Sequence, residues 1–525
     1  MGLVFGSFLV DVLALVGVLF GWLAWYFNSN FGYWKKRGVP YAKPEPFFGN
    51  FREIFTVRKN LGEGFQNIYN QLEGHRFGGA FRFRYPIVVI RDPELIKQIL
   101  VKDFLHFQGR GLKVDPENDP LSQHLFSLSG PIWRALRTKL TPTFTSGKMK
   151  MMFQLMEECS VQLDKYISEC NDKSDILEMK EVLAKFTTDI IGTCAFGLHC
   201  SSMDDENSEF RQMGRRVFET STLVAMKRLV TGIVPQLSTV LKLSLIDKKV
   251  TNFFLKIVKE TVEYREKNNI KRNDFLQLLI QLKNQGKIED HHHDSTNHEN
   301  GDVNDHADDD KLELTDTLMA AQVFVFFIAG FETSSTTMSF ALYELALNPD
   351  IQARLREEVD NTLEEYDGKI TYDALQKMEY LDRVIAESLR KYPPVPNLLR
   401  KCSKEYTIPG TDVKIEKDIL TVTPVFAIHR DPKYYPDPDR FDPDRFTPEN
   451  KAKRHHYTYL PFGEGPRNCI GMRFGLLQSK IGLFTLLSKY EFSVCEQTEI
   501  PLKFNPKSPV TSGVSGITLR VVKRT

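Results

Sequence analysis

The sequence predicts a mainly α-helical protein with small β-sheets and one transmembrane helix at its N-terminus. Three observations carry this reading. Residues 3–27 are almost continuously apolar, long enough to cross a bilayer as a helix. Residues 315–348 read as one long helix stopped by Pro349, and its middle, Leu318 through Phe331, is apolar on nearly all faces. Such a helix belongs inside a large core. Strand patterning is confined to two short patches in 525 residues.

The N-terminal run holds one ionised group, Asp11, which is costly at mid-bilayer and cheaper toward an end. Trp22, Trp25, Tyr26, Phe31, Tyr33 and Trp34 suit a membrane interface, and Lys35, Lys36 and Arg37 follow directly. By the positive-inside rule that basic cluster places the rest of the chain in the cytosol. A cleaved signal peptide would want a basic start, a shorter apolar core and a small-x-small site, and none is evident. Residues 1–27 are therefore expected to form an uncleaved, single-pass signal anchor. No second span of comparable length follows, which argues against a channel or transporter. Residues 28–50 add Pro40, Pro44 and Pro46 to the basic cluster. Closely spaced prolines fix φ and stiffen a connector, so this segment reads as a semi-rigid hinge ahead of a body spanning 51–525.

Phe81, Arg82, Phe83 and Arg84 alternate, Ile87 to Ile90 is a short apolar run, and Tyr85-Pro86 lies between them. Together these predict a hairpin. Asp92 then stands as the N-cap of a helix with Pro93 in its first turn. The second patch, residues 406–422, carries Pro409-Gly410 as turn and Val413, Ile415, Leu420 and Val422 as strand positions. Residues 288–310 hold five of the 12 histidines among many Asp, Glu and Asn. They read as an acidic, His-rich surface loop unable to bury apolar surface, with a metal-binding tract as the sharper alternative. A net charge of +1 and a pI near 7.6 give no case for nucleic-acid binding. Seven cysteines without paired spacing fit free thiols in a reducing compartment.

The chemistry concentrates around Cys469, which lies between Gly465 and Gly471 with Arg467 two positions before it. Such glycines let the backbone approach whatever the sulfur holds, and loop N–H groups can tune a bound iron. The bland alternative is a buried structural cysteine. In the central helix, Ala329-Gly330-Phe331-Glu332-Thr333-Ser334 sets a glycine beside an acid and a hydroxyl at the end of the apolar run. Glycine permits a local distortion there, and an acid–alcohol pair could organise waters and relay protons. The alternative is a threonine bonding back to a helix carbonyl. Glu387 and Arg390 share one helical face at i and i+3, and Trp133 and Arg137 share another at i and i+4.

These residues resemble those of the cytochromes P-450. Phe462, Gly465, Arg467, Cys469 and Gly471 meet every fixed position of that family's haem-binding loop, and the resemblance runs along essentially the whole chain. It implies the cytochrome P-450 fold, with residues 51–525 as a haem-thiolate catalytic domain. Heme (iron protoporphyrin IX) would be the cofactor and Cys469 its axial iron ligand, framed by Pro461, Phe462 and Gly471, with Ala329 beside it. Trp133, Arg137, Arg400 and Arg467 align with the family's propionate partners, joined by Arg110. Thr333 would be the hydroxyl beside bound oxygen and Glu332 its acidic neighbour, in a locally distorted helix. Glu387, Arg390 and Arg445 would lock the core behind the haem in a structural role. Asp444 departs from the family's usual Glu at a position outside that triad. Through the fold, Phe126, Phe324, Phe327, Ala329, Val395 to Leu398, and Val514 from the terminal loop 510–514 are candidate pocket walls.

No GxGxxG fingerprint after a strand and no flavin domain occurs in the chain, so electrons must come from another protein. The resemblance names an NADPH-cytochrome reductase flavoprotein, with cytochrome b5 as a second candidate. A basic set could dock it: Arg134, Lys139, Lys148, Lys150, Lys451, Lys453, Arg454 and Arg473. Residues 136–150 look like the microsomal clan that contains insect families six and nine, and residues 119–126 point to insect family six. The reading is an endoplasmic reticulum monooxygenase acting on hydrophobic xenobiotics such as insecticides and plant toxins. The alternatives are oxidation of an endogenous lipid or hormone, a reductase-independent haem-thiolate isomerase or dehydratase, and a non-catalytic haem or ligand binder.

Overall fold

The computed structural model describes residues 8–198, 200–205, 208–218, 222–233, 237, 240–285 and 313–524; the His-rich stretch 288–310 lies outside them. The helix Phe8–Asn28 matches the expected anchor, with no buried residue and the length and hydropathy to cross a membrane. The central helix Asp316–Leu347 passes the same test by composition, yet over half of its most apolar window is buried within the protein. Thr315 caps its N-terminus by accepting from the Leu318 N–H, and Pro349 opens the next helix, Pro349–Glu365. Helices Met179–Ile191, Lys248–Asn268, Glu379–Lys391 and Met472–Lys489 pack around it. Being apolar on all faces, it can bury every side only in a position where helices surround it.

Among the described residues, three small sheets accompany these helices. The largest has four strands in the order Phe77–Arg82, Tyr85–Ile90, Leu420–Thr423, Leu398–Lys401. Leu420–Thr423 runs parallel to the second strand from Ile87 and antiparallel to the fourth, where Arg400 pairs with Thr421. The patch at 406–422 therefore divides. Tyr406–Thr407 and Lys414–Ile415 form their own ladder about Pro409-Gly410, and Leu420–Thr423 joins the large sheet.

The hairpin forms in a register different from the expected one. Its strands are Phe77–Arg82 and Tyr85–Ile90, the turn is Phe83-Arg84 with Phe83 at φ +54°, and Tyr85-Pro86 belongs to the second strand. Pro86 is tolerated because the parallel pairing begins only at Ile87, so its missing N–H breaks no bond on that side. Gly78 and Gly79 concealed the first strand's start, because glycine carries no strand pattern. Gly79 has a packing reason: a Cβ there would run into the Trp34 indole.

That contact corrects the membrane-interface reading of Trp34. The ring is fully buried and its Nε1–H donates to the Ala80 carbonyl at 3.1 Å. Asn30 reaches the Arg84 carbonyl and Asn28 accepts from the Phe47 N–H, so the segment after the anchor docks along the hairpin. A strut free of the body would leave these polar groups to water. Gly79→Val should force the indole out and cost about 1–3 kcal/mol, as overpacking of a filled site does. A lower urea midpoint checks this; an unchanged midpoint would mean that the ring is not seated there.

Candidate active site

The loop before helix Met472–Lys489 is shaped by constraints that only glycine meets. Gly463 and Gly465 adopt φ +68° and +72°, and a Cβ on Gly465 would strike the Leu100 carbonyl. The Cys469 N–H donates to the Phe462 carbonyl at 2.8 Å, which closes the loop beneath the sulfur. Cys469 faces a cavity of about 320 Å³, so it is exposed to the cavity while lying deep in the fold. Burial pushes its thiol pKa up, against the pull of a hydrogen bond from the Gly471 backbone and of the Arg137 and Arg110 charges. Pro461, Phe462 and Gly471 line the same cavity.

The guanidinium groups of Arg110, Arg137 and Arg467 line the cavity with the sulfur, and that of Arg400 lies near those of Arg110 and Arg467. Arg110 donates to the carbonyls of Phe126 (2.9 Å) and Arg467 (3.1 Å), and Arg137 to the Asn468 carbonyl at 3.0 Å. Arg400 is buried and donates to the Leu399 carbonyl at 2.9 Å; Arg467, also buried, lies 4.3 Å over the Trp133 ring. Among the described residues, no carboxylate forms an ion pair with any of the four. Burial lowers the pKa of Arg400 to about 10 and, with repulsion from Arg400 and Arg137, that of Arg467 to about 9. Arg110 is lowered well below its ordinary value by burial and then by its cationic neighbours. The Nε groups of Arg400 and Arg467 have no partner. With Arg400 and Arg467 buried and Arg110 and Arg137 half-buried, this set of cations without acids is costly alone and fits a group bearing two carboxylates. The residues present therefore fit a haem: one thiol for the iron, and cations for both propionates.

The acid–alcohol pair is split by the helix. Thr333 lines the cavity, and its hydroxyl donates back to the Ala329 carbonyl at 2.6 Å. Glu332, one residue earlier and so about 100° around the helix, points away to an ion pair with Lys180 at 3.0 Å. Lys180 also donates to Ser335 at 2.6 Å. The helix Asp316–Leu347 runs unbroken through this stretch. Gly330 serves close packing, where a Cβ would meet the Ile191 side chain.

Behind the cysteine loop, Glu387 and Arg390 form a fully buried two-pronged pair, both bonds 2.8 Å, with Arg445 Nε 3.4 Å from the same carboxylate. Asp444 lies outside this group and pairs with Arg354 at 3.0 Å. One residue of this network gave no sequence signal. His429 is buried, and burial followed by the Arg390 charge pushes its pKa down to about 3, so the ring is neutral. Its Nδ1 lies 3.1 Å from the Arg390 carbonyl and its Nε2 accepts from the Leu460 N–H at 2.9 Å. That tautomer ties the ion pair to the start of the cysteine loop.

The cavity walls match the expected set in part. Phe126, Ala329, Val395 and Leu398 line it. Phe324 and Phe327 do not: Phe324 packs on Phe254 at 5.2 Å, and Phe327 on Phe331 at 5.2 Å and Phe254 at 5.3 Å. Val325 and Phe326 take their place, because Phe326, Ala329 and Thr333 recur at the 3.6-residue spacing of the cavity face. Val514 is 56% exposed and is not a wall residue either. Its neighbour Thr511 bonds the Pro393 carbonyl at 2.6 Å and so supports the Pro394–Leu398 wall from behind.

A cysteine sulfur on an apolar cavity between a central helix and a cysteine loop, ringed by unpaired cations, defines a haem-thiolate type of protein. The cytochrome P450 family profile matches residues 39–519, and the chain belongs to that family. It is 44% identical over 519 residues to "Probable cytochrome P450 6a14" of Drosophila melanogaster, covering 97% of this chain and 99% of the relative. It is 43% identical to "Cytochrome P450 6k1" of Blattella germanica, covering 99% and 98%, and 45% identical to "Cytochrome P450 6a2" of Drosophila melanogaster, covering 95% and 97%. These relatives are insect family-six members, as residues 119–126 suggested, and the family's cofactor is heme held through a cysteine thiolate.

Removing one partner of a buried ion pair costs about 3–5 kcal/mol, because the other charge is left uncompensated. Glu387→Ala should therefore yield no haem-loaded protein. The check is the carbon monoxide difference band per mole of chain, and a full band from this variant would remove the triad's role.

Proposed function

We propose that this protein is a membrane-anchored monooxygenase that inserts one oxygen atom of O2 into hydrophobic small molecules. The observation that carries the reading is the cysteine sulfur beside four guanidinium groups without acidic partners, those of Arg400 and Arg467 buried and those of Arg110 and Arg137 half-buried, on a cavity whose remaining walls are largely apolar. Cys469 is the axial iron ligand; Arg110, Arg137, Arg400 and Arg467, with Trp133, hold the propionates; Glu387, Arg390 and Arg445 brace the core. When bound, the haem supplies dioxygen activation, which thiolate ligation favours by pushing electron density toward O–O cleavage.

This chain's own residues do the rest. Leu398, Val395, Ala329, Phe326 and Phe126 exclude water and bind apolar surface. The Thr333 hydroxyl stands on the cavity face, where it can pass a proton toward the reacting oxygen. Glu332 would relay protons behind it, taking each from solvent water and handing it on once its carboxylate leaves Lys180. The second oxygen atom leaves as water, and NADPH supplies the two electrons through a flavoprotein reductase. Lys150, Lys451, Lys453 and Arg473 are exposed and suit an acidic partner, the reductase or cytochrome b5. Arg454 is a poorer contact, since its guanidinium lies 4.6 Å over Tyr435.

The helix Phe8–Asn28 anchors the body, and Lys35, Lys36 and Arg37 support a cytosolic orientation at the endoplasmic reticulum. The substrate class that likeness to insect family six supports is xenobiotic, insecticides and plant toxins above all. Residues 1–27 are the anchor, 28–50 the docked connector and 51–525 the catalytic domain.

The reduced protein with carbon monoxide should show the red-shifted band of thiolate ligation, and Cys469→Ala should lose it; retention of the band in that variant would overturn the assignment. Thr333→Ala should keep the band while product formation falls roughly 10²-fold, the usual scale for a positioned proton donor. Intact turnover in Thr333→Ala would favour an isomerase or dehydratase. Full haem loading without NADPH consumption alongside any reductase would favour a binder.

A further inference from the structure

The geometry points to Gln322 as a positioning residue for substrate: its amide seats the cavity wall formed by residues 123–128. The inference rests on the monooxygenase reading above. Gln322 is the one amide in the apolar run from Leu318 to Phe331, and it is fully buried. Its Oε1 accepts from the Leu125 N–H at 2.8 Å, and its Nε2 donates to the Gln123 carbonyl and the Leu318 carbonyl, both at 3.0 Å. Burying an amide in a helix core is expensive unless its polar atoms are paired. Here they are paired to a loop about 200 residues away in sequence, with only the Leu318 bond inside the helix.

On that side the His124 ring also packs 6.2 Å from Phe324 of the same helix, but among the described residues it is Gln322 that hydrogen-bonds the loop to the helix. Residues 123–128 lie in bends and turns, with local bonds from the Ser127 and Leu128 N–H groups to the His124 carbonyl, both 3.0 Å. On the opposite side the loop is held by the cofactor-site cations: Arg110 and Arg467 donate to the Phe126 carbonyl at 2.9 and 3.4 Å, and Arg467 also to that of Leu128. Leu125 and Phe126 line the cavity, whereas Gln322 itself does not. Gln322 lies one turn before Phe326, so its hydrogen bonds fix the loop wall against the helix that carries the facing wall. A side chain of the same length without the amide would leave the Leu125 N–H and the Gln123 carbonyl unpaired and release the wall.

The test uses the full-length holoprotein and two azoles that bind haem iron through nitrogen: imidazole, too small to reach the wall, and 1-dodecylimidazole, long enough to press on it. Gln322→Met should keep the haem and the carbon monoxide band. Its affinity for 1-dodecylimidazole, read from the shift of the haem absorption, should fall about ten-fold, with that for imidazole unchanged within about two-fold. Gln322→Glu keeps the acceptor for the Leu125 N–H, so it should fall between; it also replaces Gln322→Met if that variant loads no haem. Hydrogen exchange of the 121–129 segment, which needs neither haem nor turnover, should be faster in Gln322→Met than in wild type. Unchanged exchange, or equal weakening of both azoles, would overturn the positioning role. A wild-type protein without the thiolate band would count against the haem-thiolate reading alone, and the exchange comparison would still decide the role of Gln322.

Discussion

The buried ion pair of Glu387 and Arg390 is the constraint on which the site depends. Two charges taken out of water are tolerated only when every donor and acceptor finds a partner. Here the surplus donors are spent on structure: Arg390 reaches the Pro438 carbonyl at 2.7 Å and the His429 carbonyl at 3.1 Å, and the Asp442 N–H returns to Glu387 at 2.9 Å. From Arg390 the network passes through the neutral ring of His429 to the Leu460 N–H, and the next residue opens the cysteine loop. The position of Cys469 is thus referred to a pair of charges that cannot shift without being exposed unpaired.

On the other side of the sulfur the balance is reversed. Arg110, Arg137, Arg400 and Arg467 are held near one another by backbone carbonyls, with their like charges opposed and their pKa values lowered chiefly by burial. Such an arrangement stores a demand for negative charge, which two carboxylates on one ligand relieve. The same cations fasten residues 126–128, so the apolar wall and the anionic site share one support.

The central helix shows how far pattern reaches. Its extent follows from the apolar run and the Pro349 stop, its place in the core from apolar residues on every face, and the structure agrees with both. That same uniformity removes the information needed to orient it. With no polar stripe, nothing local distinguishes Phe326, on the cavity, from Phe324 and Phe327, which pack among Phe254 and Phe331. Glu332 and Thr333 are adjacent in the chain yet face different neighbours, because one residue is over a quarter of a turn. His429 and Gln322 were silent for a different reason: each acts through backbone groups of a distant segment, and a backbone group has no letter in the sequence.

By itself the sequence determined the long apolar N-terminal helix, the helical class, the glycine-flanked cysteine loop and the shared face of Glu387 and Arg390. Each is a local matter of composition, period or short spacing, whereas Arg110, Arg400 and Arg467 were singled out only by their likeness to a family pattern. Only the tertiary structure decided that Trp34 leaves the membrane interface for Gly79, that the hairpin begins at Phe77, and which side chains face the cavity. Those outcomes turn on which surfaces meet, and a glycine, a backbone carbonyl or an all-apolar helix acquires its role only from what is packed against it.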